Sequence, residues 1–253
     1  MTLSHDVGGN GPAVLLLHSS ACDRRMWDPQ WDALVAAGYR VIRCDFRGFG
    51  ETPPPDRPWD TAGDVAELLD ELGVERAAVV ASSYGGLVAL RLAARRPETV
   101  ASLALLCPLS PDHTPGESLH DFWRREEELI EAGDIDGAVE LNVRTLLGPE
   151  ADEATRDLVR RMQRHAFDVQ LAAEEHPELE TDDDLTRIEA PCLVVSGALD
   201  LADFREIAAR LPARLRDARH VELPWAGHLP SLERPAELTP LLLAHLQKTH
   251  PTP

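Results

Sequence analysis

The sequence predicts a doubly wound, mostly parallel α/β sheet interrupted by one helical insertion. Three observations carry this: five short, continuously apolar runs, helical patterns alternating with them, and a charged stretch without strands between residues 108 and 188. Continuous apolarity, as opposed to strict alternation, marks strands covered on both faces, as parallel strands are. A chain of 253 residues is long enough to bury a full core of this kind.

The elements follow in order. "AVLLL" (13–17), "RVIRCD" (40–45), "RAAVVA" (76–81), "VASLALL" (100–106) and "PCLVVSG" (191–197) predict buried strands, and "LSHDV" adds a short edge strand. Helical patterns occupy 27–37, 61–72, 84–96 and 204–211. A last helix spans 236–247, with Pro235 suited to a first turn because its missing N–H would have no helical partner there. Between the strands at 100–106 and 191–197 lie helical patterns at 118–132, 135–147 and 151–173, then the acidic run "ETDDD", read as solvated surface. An all-helical insertion between two strands predicts a cap, 108–188, over a core built from 1–107 and 189–253. Extra helices packed on a sheet face are the alternative.

Composition excludes several classes of partner. A net charge of −19 opposes nucleic acid and anionic membrane surfaces, which need basic patches. No apolar stretch reaches the roughly 20 residues that span a bilayer. "MTLSHDVGGNG" lacks a basic segment followed by an apolar one, so no secretory leader and a cytoplasmic location are expected. Cys22, Cys44, Cys107 and Cys192 are widely spaced and read as buried free thiols. The ten histidines show no H-E-x-x-H or other ligand spacing, so neither metal nor organic cofactor is expected. His113, His120, His245 and His250 are read as surface residues.

The stretch "ASSYGG" joins the strand at 76–81 to the helix at 84–96 without a loop. So sharp a turn strains the backbone and demands small residues around it. Ala81, Gly85 and Gly86 supply them if the turn centres on Ser83, giving a G-x-S-x-G elbow with alanine in the first position. Centring on Ser82 would put Val80 and Tyr84 at the small positions. The elbow lifts the Ser83 hydroxyl to the N-terminal end of a helix, where free N–H groups and the dipole favour an oxyanion.

A serine hydroxyl needs a base, and the base needs a carboxylate to orient it. "LVVSGALD" places Asp200 just past a strand, and "WAGHLPSLERP" places His228 in a glycine-bearing loop after another. The order Ser83, Asp200, His228 is one in which such triads occur. Asp203 competes with Asp200 but also suits the start of the helix at 204–211.

With these residues in hand, the chain resembles the α/β-hydrolase superfamily, serine-nucleophile branch, through "VLLLHSS", "MWDPQW", "DFRGFGET", "ASSYGG", "LVVSGALD" and "GHLPSLERP". The resemblance implies an oxyanion hole from the backbone N–H groups of Ser20, or else Ser19, and of Tyr84. It departs from the family at Ser19, where glycine is usual, at Ala81, and in lacking a common first strand. Within the superfamily it is most similar to 3-oxoadipate enol-lactonases and related small esterases. Arg24 and Arg25 then become candidates for meeting a substrate carboxylate, against a solvated reading, and Ser19 and Trp123 become candidates for substrate contact. Trp27 is read as core; Phe122, Trp123 and Phe167 either line a pocket or pack helices.

The implied chemistry is hydrolysis of a small carboxylic ester or lactone through an acyl-enzyme. The same frame hosts carbon–carbon bond hydrolases, cofactor-free perhydrolases, lyases and cyclases, and a non-catalytic ligand-binding protein is the alternative of another class. Epoxide hydrolase and dehalogenase chemistry needs an aspartate where Ser83 stands. Oligomeric state is not legible.

Overall fold

In the computed structural model, residues 2–179, 181 and 183–252 are described. Strands β1 (His5–Gly8), β2 (Ala13–Leu17), β3 (Arg40–Cys44), β4 (Ala77–Ser82), β5 (Val100–Leu106), β6 (Cys192–Gly197) and β7 (Ala218–Leu223) form one sheet. Their spatial order is β1-β3-β2-β4-β5-β6-β7. Only β1, the edge strand formed from "LSHDV", runs antiparallel, pairing His5 with Cys44.

Strand periodicity explains why the central runs are apolar throughout. Leu15, Leu17, Val79, Ala81, Leu103, Leu105 and Val194 face one layer, with Val65, Leu68, Val88, Leu92, Ile207 and Leu211. Their neighbours Val14, Leu16, Val80, Ala104, Leu106, Leu193 and Val195 face the other, with Leu34, Leu238, Leu242 and Leu246. The first layer is carried by helices α2 (Thr61–Glu71), α3 (Tyr84–Arg95) and α7 (Ala202–Arg214), the second by α1 (Asp28–Ala36) and α9 (Pro235–Thr249). Each fully buried leucine or valine contributes roughly 1.5–3 kcal/mol, so this two-sided core dominates stability. β7 lies at the open edge and is only half-buried, which is why its sequence is not continuously apolar. Helix α7 runs past the expected stop at Pro212, because a proline in the last turn forfeits a single backbone bond.

Three helices lie between β5 and β6: α4 (Glu117–Glu131), α5 (Ile135–Leu146) and α6 (Glu153–Gln170). A four-residue helix, α8 (Pro230–Glu233), precedes α9. Asp203 anchors α4, correcting the reading that it caps its own helix. Its carboxylate accepts from the backbone N–H groups of Gly116 and Leu119, the Ser118 hydroxyl and the His113 ring. Burial opposes ionisation, but these four donors outweigh it and bring the carboxyl down to about 2. Because the folded pKa lies below the unfolded one, this stabilisation is present above the ordinary aspartate value near 4 and is lost as pH falls from about 4 towards 2. Asp203→Ala is expected to cost roughly 2–3 kcal/mol at neutral pH and to weaken the acid dependence. Urea unfolding between pH 2.5 and 7 checks it; parallel curves for the two proteins would count against this role.

Other surface expectations need correction. His113 is buried against Asp203, and His245 is 4% exposed within the α9 layer. Asp182 lies outside the described residues, and Asp184 is exposed as expected. Asp183 is not solvated: its buried carboxylate pairs with Arg91 and Arg95 on α3. All four cysteines are buried and free, and Trp27 is fully buried. Among the described residues no helix is long and apolar enough to cross a membrane.

Candidate active site

Strand order reverses across β2, whose neighbours are β3 on one side and β4 on the other. In an open parallel sheet, the loops leaving such adjacent strands diverge and open a crevice at their C-terminal ends. Ser19 and Ser20 follow β2, and Ser83 follows β4, so the crevice falls between them.

The turn at Ser83 has the expected strain. Ser83 sits at φ 54° and ψ −115°, a region that costs a non-glycine residue about 1–3 kcal/mol. Surrounding bonds hold it there: Ser83 N–H donates to Leu106 O at 2.9 Å, while Gly86 N–H and Leu109 N–H donate to Ser83 O at 2.8 and 3.0 Å. The glycines are required by close approach. A Cβ on Gly85 would lie 2.6 Å from Leu17 O and 2.7 Å from His18 O, and one on Gly86 would lie 2.7 Å from the Pro108 Cβ. Ser82 points away into the sheet, fully buried, its hydroxyl without a partner among the described residues.

His228 and Asp200 meet as the spacing predicts. His228 Nδ1 and Asp200 Oδ2 are 2.8 Å apart, both side chains essentially inaccessible. The other carboxylate oxygen accepts from Leu201 N–H at 2.7 Å. An acceptor at Nδ1 fixes the proton there and leaves Nε2 free to accept one. The Phe204 ring lies 4.0 Å from the imidazole centroid. The Cys107 sulfur completes a tight group with Asp200 and His228, their ligand-type atoms within 4.8 Å of one another. Burial and the Asp200 charge push the Cys107 thiol well up, which keeps it protonated.

Two positioning residues were not singled out in the sequence. Glu233 accepts from the N–H groups of Gly227 and Leu229, which flank His228, and from Gly148 N–H. His18 holds the loop after β2: its Nδ1 donates to Ser19 O at 2.8 Å and its Nε2 accepts from Phe46 N–H at 2.9 Å. Burial lowers the His18 pKa, which keeps the ring in the neutral form this bonding needs. Both residues stand inside the quoted stretches "VLLLHSS" and "GHLPSLERP", so the signal was proximity to a motif.

The loop also separates Ser19 from Ser20. Ser19 N–H is directed at the Met26 sulfur, 3.3 Å away. Among the described residues the N–H groups of Ser20 and Tyr84 have no protein acceptor. Tyr84 is further fixed by its hydroxyl, which bonds to Thr61 and to Glu178.

Ser83, His228, Ser19 and Ser20 line one cavity of about 160 Å³, together with Phe122 and Trp123 from α4, Phe167 from α6 and Phe204. A second cavity of about 360 Å³, lined by Trp59, Pro54 and Tyr84 among others, shares Ser20, Phe49 and Gln170 with it. Arg24 is elsewhere, which corrects both readings of it: its guanidinium pairs with Asp6, Asp45 and Glu51 and is only 15% exposed. Arg25 is bound to Asp23. Both line a separate cleft.

A doubly wound sheet carrying a serine after β4, an aspartate after β6 and a histidine after β7 defines a class of hydrolase-type folds. The chain belongs to the alpha/beta hydrolase family, whose pattern it matches over residues 14–241. It is similar to a pimeloyl-[acyl-carrier protein] methyl ester esterase from Aeromonas hydrophila, with 30% identity covering 96% of this chain and 98% of that one. Among solved structures, a thermophilic esterase from Thermogutta terrifontis superposes with a TM-score of 0.82 at 27% identity, covering 98% of this chain and 94% of the other. The enol-lactonase from Burkholderia xenovorans LB400 gives 0.80 at 26%, covering 96% of both chains.

Proposed function

We propose that the protein is a serine hydrolase of small carboxylic esters or lactones, with Ser83, His228 and Asp200 as its triad. The observation that carries this reading is that His228, paired with Asp200, lines the same cavity as the strained Ser83. Nε2 of His228 takes the proton as Ser83 Oγ attacks the carbonyl carbon. Asp200 holds the ring and stabilises its charged form. The Ser20 and Tyr84 N–H groups receive the oxyanion, and each such donor contributes about 3 kcal/mol in comparable sites. His228 then protonates the leaving alcohol, or the ring oxygen of a lactone. Water, deprotonated by His228, attacks the acyl-enzyme and restores Ser83.

Helices α4–α6 act as a cap in this reading, since they line the cavity opposite the strand ends. The names of the esterase and enol-lactonase relatives agree with ester or lactone substrates. A complete triad disfavours a purely ligand-binding role. Turnover of 4-nitrophenyl esters of increasing acyl length, alongside simple lactones, tests the proposal. Release of one equivalent of nitrophenol in a burst before steady state is expected from an acyl-enzyme whose hydrolysis is slow. Failure to turn over any member of the panel would overturn it.

A further inference from the structure

One part of the cavity has no task in the chemistry at Ser83. The helices between β5 and β6 give it four polar side chains: Glu126 from α4, Asn142 from α5, and Gln163 and Gln170 from α6, the last already donating to Gly48 O. The remaining contributions of α4 and α5 are apolar. Asn142, 4% exposed, donates its amide to the Glu126 carboxylate and to Ala138 O at 3.0 Å. Gln163 is 5% exposed, and its amide oxygen has no partner among the described residues. Burial raises the Glu126 pKa, disfavouring its charged form. Among the described residues no lysine or arginine lines this cavity.

Two acceptors on a stretch of wall they share with Leu119, Phe122, Trp123 and Leu146, one of them buried and unsatisfied, are costly until a donor meets them. A substrate carboxylate would meet the opposite: two further oxygen acceptors, at Glu126 and Gln163, and no cation to neutralise it. An ammonium would lose its hydration against a single, burial-weakened carboxyl.

We propose that Glu126 and Gln163 form a specificity subsite for an uncharged hydrogen-bond donor, a hydroxyl or amide N–H, on the substrate arm remote from the scissile carbonyl. This rests on the reading of Ser83 as nucleophile. It separates the protein from enzymes whose substrates carry a free carboxylate.

The test compares kcat/KM for methyl hexanoate, methyl 6-hydroxyhexanoate and monomethyl adipate, and for the matching eight-carbon series, with 4-nitrophenyl acetate as a substrate too short to carry an arm. The hydroxyl ester is expected to exceed the carboxylate ester by about tenfold or more. Glu126→Gln should shrink that ratio by relieving the carboxylate ester, and Gln163→Leu should lower the hydroxyl-to-methyl ratio. Equal rates for the three termini, a preference for carboxylate, or ratios unchanged in folded variants would overturn the subsite. The wild-type order alone decides if a variant fails to fold. Loss of 4-nitrophenyl acetate turnover in the wild type would instead strike the Ser83 reading, and the subsite with it.

Discussion

Ser83→Ala is expected to lower kcat by a factor of about 10⁴ or more, with KM and stability little changed. The size follows from the role proposed for Oγ, since no bond to the acyl carbon forms without it. Stability should hold because the backbone bonds that fix the turn, to Leu106, Gly86 and Leu109, use main-chain atoms. Alanine shares the conformational cost of serine at φ 54°, so the elbow is not relieved by the change. Kinetics on a 4-nitrophenyl ester beside a thermal melt separate the two effects. A Ser83→Ala protein that melts normally and retains more than a tenth of wild-type kcat would remove Ser83 from the chemistry.

Gly85→Ala should damage both stability and activity. Its Cβ would meet Leu17 O at 2.6 Å, His18 O at 2.7 Å and the Leu17 carbonyl carbon at 2.8 Å, all backbone atoms that cannot rotate aside. Gly85 N–H also donates to His18 O at 3.1 Å, tying α3 to the loop after β2. Relief of the clash requires α3 to move away from β2. That movement would separate the Tyr84 N–H from the Ser20 N–H. A loss of about 2–4 kcal/mol is expected, as for other overpacked backbone contacts. A fall of more than a hundredfold in kcat should accompany it, comparable to removal of an oxyanion donor. Urea unfolding and steady-state kinetics check the two losses; an active, equally stable variant would show that the contact tolerates a methyl group.

The sheet was readable because parallel strands buried on both faces leave continuous apolar runs, and β2, β4, β5 and β6 lie where those runs do. The edge strand β7 was legible only through the loop after it, since its outer positions are polar. The turn could be centred on Ser83 and not Ser82 because steric demand falls on fixed neighbours, and Gly85 and Gly86 meet it. The meeting of Asp200 with His228 was legible through their offsets from strand ends. Pairings between distant segments were not. Asp203 with the start of α4, Asp183 with α3, and Arg24 with Asp6, Asp45 and Glu51 depend on tertiary placement that local pattern does not encode. For the same reason the charge of Arg24 invited a substrate role that its three carboxylate partners leave no room for. The polar residues of the cavity lie on helices whose registers matter to a fraction of a turn, so Glu126 and Gln163 gave no signal of their own.

The most direct measurement is the mass of the protein after exposure to a fluorophosphonate, followed by peptide mapping. Ser83 as nucleophile predicts a single adduct on the peptide containing Ser83, absent from Ser83→Ala and formed far more slowly in His228→Ala. An adduct on another residue, or undiminished labelling of Ser83→Ala, would contradict the proposed triad.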